Sequence, residues 1–275
     1  MNNSERRTGS PQADALIFDV DGVLLNVERS FPEVIRQAVC LGWVQFCGGE
    51  ADCAGYASPH ERVMKRHGGF NDDFDLAWAL LCICAASGRK KLSEAFPAPQ
   101  KLDELTAGFT AGSVEEWVTR TFSPAVPRRA VRRLCARLYR GKSGGDGLCR
   151  LEMPMLRCSW RRLPLPVGIY TGRSLDEWEL ARRTLGWEDF PSDRVIVSDS
   201  GILKPSPRGL EILCARMGVS SPLFLGDTAS DLKAFQAFGR GSFAAIGNLL
   251  PEAPAVYSST NSALLGEIGF SANAI

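Results

Sequence analysis

Short apolar runs punctuate the chain at residues 15–18 (ALIF), 167–170 (VGIY), 194–197 (RVIV) and 222–225 (PLFL). Most of their residues are β-branched or aromatic, each run is bounded by turn chemistry, and each is followed closely by a helical pattern. A fifth run, 242–246 (SFAAI), is weaker. Continuous apolar runs alternating with helices predict an α/β fold, a Rossmann-like parallel sheet covered on both faces.

The pattern changes between residues 27 and 150. Phe31, Val34, Ile35, Ala38 and Val39 recur at helical spacing, and Val114, Trp117 and Val118 repeat the theme. No run there reads as a strand. The expectation is an all-helical cap domain at 27–150, inserted into a core domain formed by 1–26 and 151–275. The apolar stretch 76–86 is shorter than the roughly 20 residues that cross a bilayer, and predicts a buried helix. Trp43, Trp78 and Trp117 are expected to pack the cap. The segment 141–147 (GKSGGDG) reads as a hinge at the cap's exit. The basic run Arg128, Arg129, Arg132, Arg133, Arg137 and Arg140 is interleaved with Val131, Leu134, Cys135 and Leu138, the pattern of an amphipathic helix with a solvated basic face.

The polar residues of the core fall in one consistent place. Asp19 directly follows the first run, Thr171 the second, and Asp227 comes just past the fourth, after Gly226. Lys204 lies in the loop after the third. In an open parallel sheet the strand C-termini share one edge, where ligands bind, so four separated positions should converge there.

Each local motif carries chemistry and also has a plainer explanation. Asp19 and Asp21, two residues apart on a turn leaving a strand, can divide the work of attacking and of moving protons. Gly22 allows a tight turn that brings amides towards an anion. A calcium loop is excluded, because a strand precedes this segment and Leu24 and Leu25 follow it; a simple Asp-Gly turn remains open. Thr171 and Gly172 can bind phosphate at a helix N-terminus, although Ser174 and Glu177 make a capping box that explains the segment without a ligand. Lys204, stiffened by Pro205 and Pro207, suits phosphate, while most loop lysines are merely solvated. Asp227 and Asp231 can hold a hard cation and its waters, or Asp227 can cap a helix.

Composition narrows the classes. The 275 residues include 32 Lys and Arg against 31 Asp and Glu, a formal charge of +1, so nothing steers the chain to nucleic acid or to an anionic membrane. The nine cysteines contain no C-x-x-C pair and read as small hydrophobes in a reducing compartment. Residues 1–12 are polar and lack an apolar signal core, and the expectation is a cytoplasmic protein.

The residues DVDGVL, YTGR, LKPSP and GDTASD stand in the order and spacing of the four motifs of the haloacid dehalogenase (HAD) superfamily, which the chain resembles over 15–26 and about 151–247. The helical insertion looks like the cap of its phosphoglycolate phosphatase and β-phosphoglucomutase branch in position and helical character only. The resemblance implies a Mg²⁺-dependent hydrolase acting on a small-molecule phosphate ester through an aspartyl-phosphate. It implies Asp19 as nucleophile and Asp21 as general acid and base. Thr171, Gly172 and Lys204 would hold the phosphoryl group. Asp19, the Asp21 carbonyl and Asp227 would surround the metal, with Asp231 supporting it or Lys204. A phosphomutase shares these motifs, and a non-catalytic HAD-fold binding protein is the third reading. In the cap, the loop 68–73 is a guess for a segment facing the substrate, against ordinary helix capping by Asn71 or Asp72. Lys65, Arg66, His60 and His67 are candidates for a second anion site, against ordinary charged surface.

Overall fold

The computed structural model describes residues 13–50, 52, 57–67, 70, 72–109, 113–122 and 126–272. They form two compact units, one within Met1–Leu25 and Pro154–Ile275, the other within Asn26–Met153.

The first unit is built on strand β1 (Ala15–Phe18), all four residues of which are buried. Strand β2 (Leu25–Asn26) is followed by the helices of the second unit. The chain returns through β3 (Met153–Pro154), which pairs with β2 in a two-stranded sheet. The core then alternates as the sequence predicts: β4 (Val167–Tyr170), α8 (Leu175–Leu185), β5 (Val195–Ile196), α9 (Arg208–Met217), β6 (Pro222–Gly226), α10 (Ala229–Phe238), β7 (Ser242–Ile246), β8 (Val256–Tyr257) and α11 (Thr260–Ile268). Helix numbering continues from the second unit, whose helices are α1 (Phe31–Cys47), α2 (Ser58–Lys65), α3 (Asp73–Ala86), α4 (Leu92–Ala95), α5 (Pro99–Thr106), α6 (Val114–Phe122) and α7 (Arg128–Arg140).

The main sheet has the order β5-β4-β1-β6-β7-β8, and its pairings are parallel. Strand β1 sits where the order reverses, so its C-terminal end, between those of β4 and β6, is the crevice such sheets use for ligands. Continuous burial of β1, β4 and β6 explains why these strands read as unbroken apolar runs rather than alternating ones. On one face Ile17, Tyr170, Phe224 and Phe243 pack with Leu210, Leu213 and Phe238. Each large apolar side chain removed from water there contributes about 2–3 kcal/mol.

The last part of the core carries β8 and α11, which the weak patterning after Gly247 leaves illegible. Helix α11 is capped by Ser259, whose hydroxyl accepts from the Ser262 amide at 3.2 Å.

In the second unit α3 is buried almost all round, as its uniformly apolar sequence predicts. The three tryptophans are buried. Trp43 donates its indole N–H to the Lys90 carbonyl at 3.0 Å and Trp78 to the Val126 carbonyl at 2.9 Å. Helix α7 buries Val131, Leu134, Cys135 and Tyr139, while Leu138 is only half-buried. Residues 141–147 are folded back on the end of α7, with the Gly145 and Gly147 amides donating to the Arg140 carbonyl at 2.6 and 3.3 Å. That differs from the open hinge suggested by their glycine content. Within 68–73, Gly68, Gly69 and Asn71 lie outside the described residues, and Asp72 is the N-cap of α3, accepting from the Phe74 and Asp75 amides.

Candidate active site

The turn after β1 carries Asp19 and Asp21. Gly22 has φ 70°, and a Cβ added there would lie 2.2 Å from Asp227 Oδ2, so only glycine lets this turn lie so close to the loop after β6. The Asp19 amide donates to the Leu225 carbonyl at 2.9 Å, which fixes the start of the turn to the end of β6. Asp19 is buried.

Lys204 is the largest departure from what its loop position suggests. Its side chain is only 6% exposed, and its Nζ lies 2.7 Å from Asp19 Oδ1 and 2.6 Å from Asp231 Oδ1. A desolvated ammonium survives in such a place only with close carboxylates. The two aspartates hold it firmly protonated, overcoming the burial that alone would lower its pKa. Asp19 is driven the other way. Burial raises its pKa, Lys204 pulls it back, and Asp231 and Asp21 add repulsion, leaving it pushed up to about 7.

Asp231 is fully buried and heavily engaged. Its Oδ2 accepts from the Thr228 amide at 3.0 Å and from the Thr228 hydroxyl at 2.6 Å, while Oδ1 takes Lys204. Thr228, not Asp227, is therefore the N-cap of α10, in a capping box closed by Asp231.

Asp19, Asp227 and Asp231 each bring a carboxylate oxygen within 4.8 Å of the others. Three carboxylates around one ammonium leave a local excess of negative charge, which a divalent cation would neutralise. The donors are all oxygen, the set that suits a hard ion rather than zinc or copper. The residues fit such an ion. Because Asp231 is committed to Thr228 and Lys204, Asp19 and Asp227 are the better-placed carboxylates.

Thr171 directly follows β4 and is buried; its hydroxyl accepts from the Arg173 amide at 3.2 Å. Gly172 is exposed, and a Cβ there would meet nothing within 4 Å, so space does not demand glycine at that position. Ser174 caps α8, and the Ser174–Glu177 capping box forms as predicted.

Arg173, between Gly172 and Ser174, is a residue of this cluster to which motif reading gave no role. Its side chain is 1% exposed, and its Nε and Nη2 both donate to Asp21 Oδ1, at 2.8 and 2.5 Å; Asp21 itself is 33% exposed. A signal was present. A cation placed three residues past a buried strand end has to be paired if it is buried, and Asp21 of the turn after β1 pairs it.

The cap candidates for a second anion site are engaged in structural contacts. His60 is held between the Ala57 amide and the Pro97 carbonyl, His67 stacks edge-on with Phe70 and Phe109, Lys65 pairs with Asp73 at 3.1 Å and Arg66 with Asp103 at 3.7 Å.

Comparison with known proteins agrees with this geometry. The family model of haloacid dehalogenase-like hydrolases matches residues 152–239, which span Thr171, Lys204 and Asp227. The phosphatase Tt82 from Thermococcus thioreducens is 27% identical, covering 85% of this chain and 93% of that one, with a TM-score of 0.62. A HAD-superfamily hydrolase of subfamily IA from Geobacter sulfurreducens shares the fold at 16% identity, with a TM-score of 0.51 over 92% of this chain and 98% of that one. Among curated proteins, an imidazoleglycerol-phosphate dehydratase from Phytophthora nicotianae is 27% identical over 234 residues, 82% of this chain; the chain spans 41% of that relative's length. Residues 152–239 thus carry the likeness to haloacid dehalogenase-like hydrolases, and the fold is similar to that of phosphatase Tt82. No helix among the described residues is long and apolar enough to cross a membrane.

Proposed function

We propose that this protein is a Mg²⁺-dependent phosphatase of small phosphate monoesters, working through an aspartyl-phosphate on Asp19. The observation that carries the proposal is the buried Asp19–Lys204–Asp231 cluster beside Asp227, at the switch point of the sheet. Such a cluster is costly to bury and gains its use when a phosphoryl dianion and a divalent cation enter.

Asp19 attacks phosphorus in line with the leaving alcohol. Asp21, oriented by Arg173, gives a proton to the departing oxygen and takes one from the water that then attacks phosphorus, restoring Asp19. Lys204 keeps one Asp19 oxygen in place and offers its remaining donor capacity to the phosphoryl oxygens, which Thr171 and the Gly172 amide also serve. Asp231 braces Lys204. Mg²⁺, held by Asp19, the Asp21 carbonyl and Asp227, would supply charge neutralisation for the approach of an anion to an anionic nucleophile.

The test is phosphate release from p-nitrophenyl phosphate and a panel of small metabolite esters, with Mg²⁺ and with chelator. By its name the Phytophthora relative acts on imidazoleglycerol phosphate, so that ester joins the panel. The expected outcome is Mg²⁺-dependent release that Asp19→Asn reduces by about 10⁴-fold or more. Phosphate returned to a second position of a sugar, instead of to water, would establish a phosphomutase. Folded, Mg²⁺-loaded protein that releases nothing from any ester would sink the enzymatic proposal.

A further inference from the structure

Tyr170 lies outside every motif-based role, yet three independent contacts join it to the loop that carries Lys204. It is the last residue of β4 and is fully buried. Its hydroxyl donates to the Ser206 carbonyl at 2.8 Å. The Lys204 ammonium stands over its ring, 5.6 Å from the centroid. The opening turn of α9 makes room for that ring: a Cβ on Gly209 would lie 2.4 Å from Tyr170 Cζ and 2.5 and 2.7 Å from its Cε atoms. Burial pushes the phenol's pKa up to about 12, with the Lys204 charge working against the shift, so the hydroxyl stays a donor at neutral pH.

These contacts have a common consequence. Asp19 and Asp231 hold the Lys204 ammonium, and their bonds to it do not fix the backbone of the loop that presents it. The Tyr170–Ser206 hydrogen bond supplies that backbone anchor, two residues beyond Lys204, where the Ser206 amide also closes a turn onto the Leu203 carbonyl at 2.9 Å. The ring face gives the ammonium a partner that is electron-rich but uncharged, which leaves its hydrogen-bonding capacity for oxygen ligands. Phenylalanine would fill the same space and retain the ring, but would leave the partly buried Ser206 carbonyl without this donor.

We infer that Tyr170 is a positioning residue for Lys204, setting the place of the ammonium through the Ser206 anchor and the ring beneath it. The inference rests on the phosphatase reading of the same site. Displacing a charge-bearing group by a fraction of an ångström costs rate more than affinity, because the transition state requires the tighter geometry.

The experiment compares wild type, Tyr170→Phe, Tyr170→Leu, Lys204→Met and the double variant Tyr170→Phe/Lys204→Met. It measures kcat and KM with p-nitrophenyl phosphate, and melting temperature. Tyr170→Phe is expected to lower kcat about tenfold with KM within about twofold, and Tyr170→Leu to lower kcat by about 10²-fold. In the Lys204→Met background, Tyr170→Phe should cost nothing further, since it acts through the missing lysine. A Tyr170→Phe protein that melts lower but keeps wild-type kcat and KM, or a penalty as large without Lys204 as with it, overturns the inference and leaves the phosphatase reading intact. Wild-type protein with no Mg²⁺-dependent turnover removes that reading and this inference together.

Discussion

The end of the core sheet and the helical unit each hold a cluster of charges, buried in the first and half-open to water in the second. In the helical unit, Asp75 accepts from Arg128 at 2.8 and 2.6 Å and from Arg132 at 2.8 Å, while Arg132 also reaches Asp72 at 2.8 Å. The guanidinium groups lie over Trp78 and Phe74, 5.9 and 5.8 Å from the ring centroids. Glu115 also takes Arg128 at 2.5 Å, so three acids meet two arginines that are each about a third exposed, and the cluster joins α3 to α7. At the sheet edge, Asp19, Asp227 and Asp231 meet one lysine. Water reaches the surplus charge of the helical cluster, whereas the surplus at the sheet edge is buried, where a cation would neutralise it. Charge imbalance under burial separates a site from a structural network.

Removing the lysine of the sheet-edge cluster should have the largest effect. Lys204→Met is expected to lower kcat/KM by about 10³-fold, the scale of losing an electrostatic donor at a developing charge. A loss below tenfold, measured by phosphate release, would break the contrast, because Lys204 would then be another structural partner.

Arg173 comes next. Arg173→Met frees Asp21 from its orienting contacts and should lower kcat by about 10- to 10²-fold. The stability cost should be about 2 kcal/mol, below that of a fully buried pair because Asp21 is a third exposed. Denaturant unfolding beside steady-state kinetics checks both. Loss of stability with kcat unchanged would move Arg173 to the structural side of the comparison.

The helical cluster gives the smallest effect, and one on stability alone. Burial would raise the Asp75 pKa, but hydrogen bonds from Arg128 and the charge and hydrogen bonds of Arg132 overcome it, so the group lies below its ordinary value. A folded pKa below the unfolded one means the stabilisation is fully present above about pH 4 and is lost as pH falls through the folded value. Asp75→Asn should therefore cost about 1–2 kcal/mol at pH 7, after allowance for the partly exposed arginines, and less in acid, with kcat unchanged. A stability difference that stays constant from pH 7 to pH 3 would contradict the assignment.

The sequence by itself determined the alternation of the core, because strands buried on both faces have to be apolar throughout, and β1, β4 and β6 read so, with β7 weaker. It placed Asp19, Thr171 and Asp227 at strand ends, since strand polarity alone sends those ends to one edge. It also determined the Ser174–Glu177 capping box, a contact between residues three apart. The remainder required the tertiary structure. Lys204 reads as a loop lysine until a loop 185 residues from Asp19 in sequence brings its ammonium to within 2.7 Å of that carboxylate and buries it. Whether Asp227 caps a helix or faces the cluster depended on Thr228 and Asp231 taking the cap between them. The pairing of Arg173 with Asp21 spans 152 residues, and the contacts of Tyr170 with the Lys204 loop span about 36, so neither leaves a local pattern. Local chemistry is written in neighbouring residues, whereas which distant charges meet, and how much water is left around them, is decided only when the strands pair.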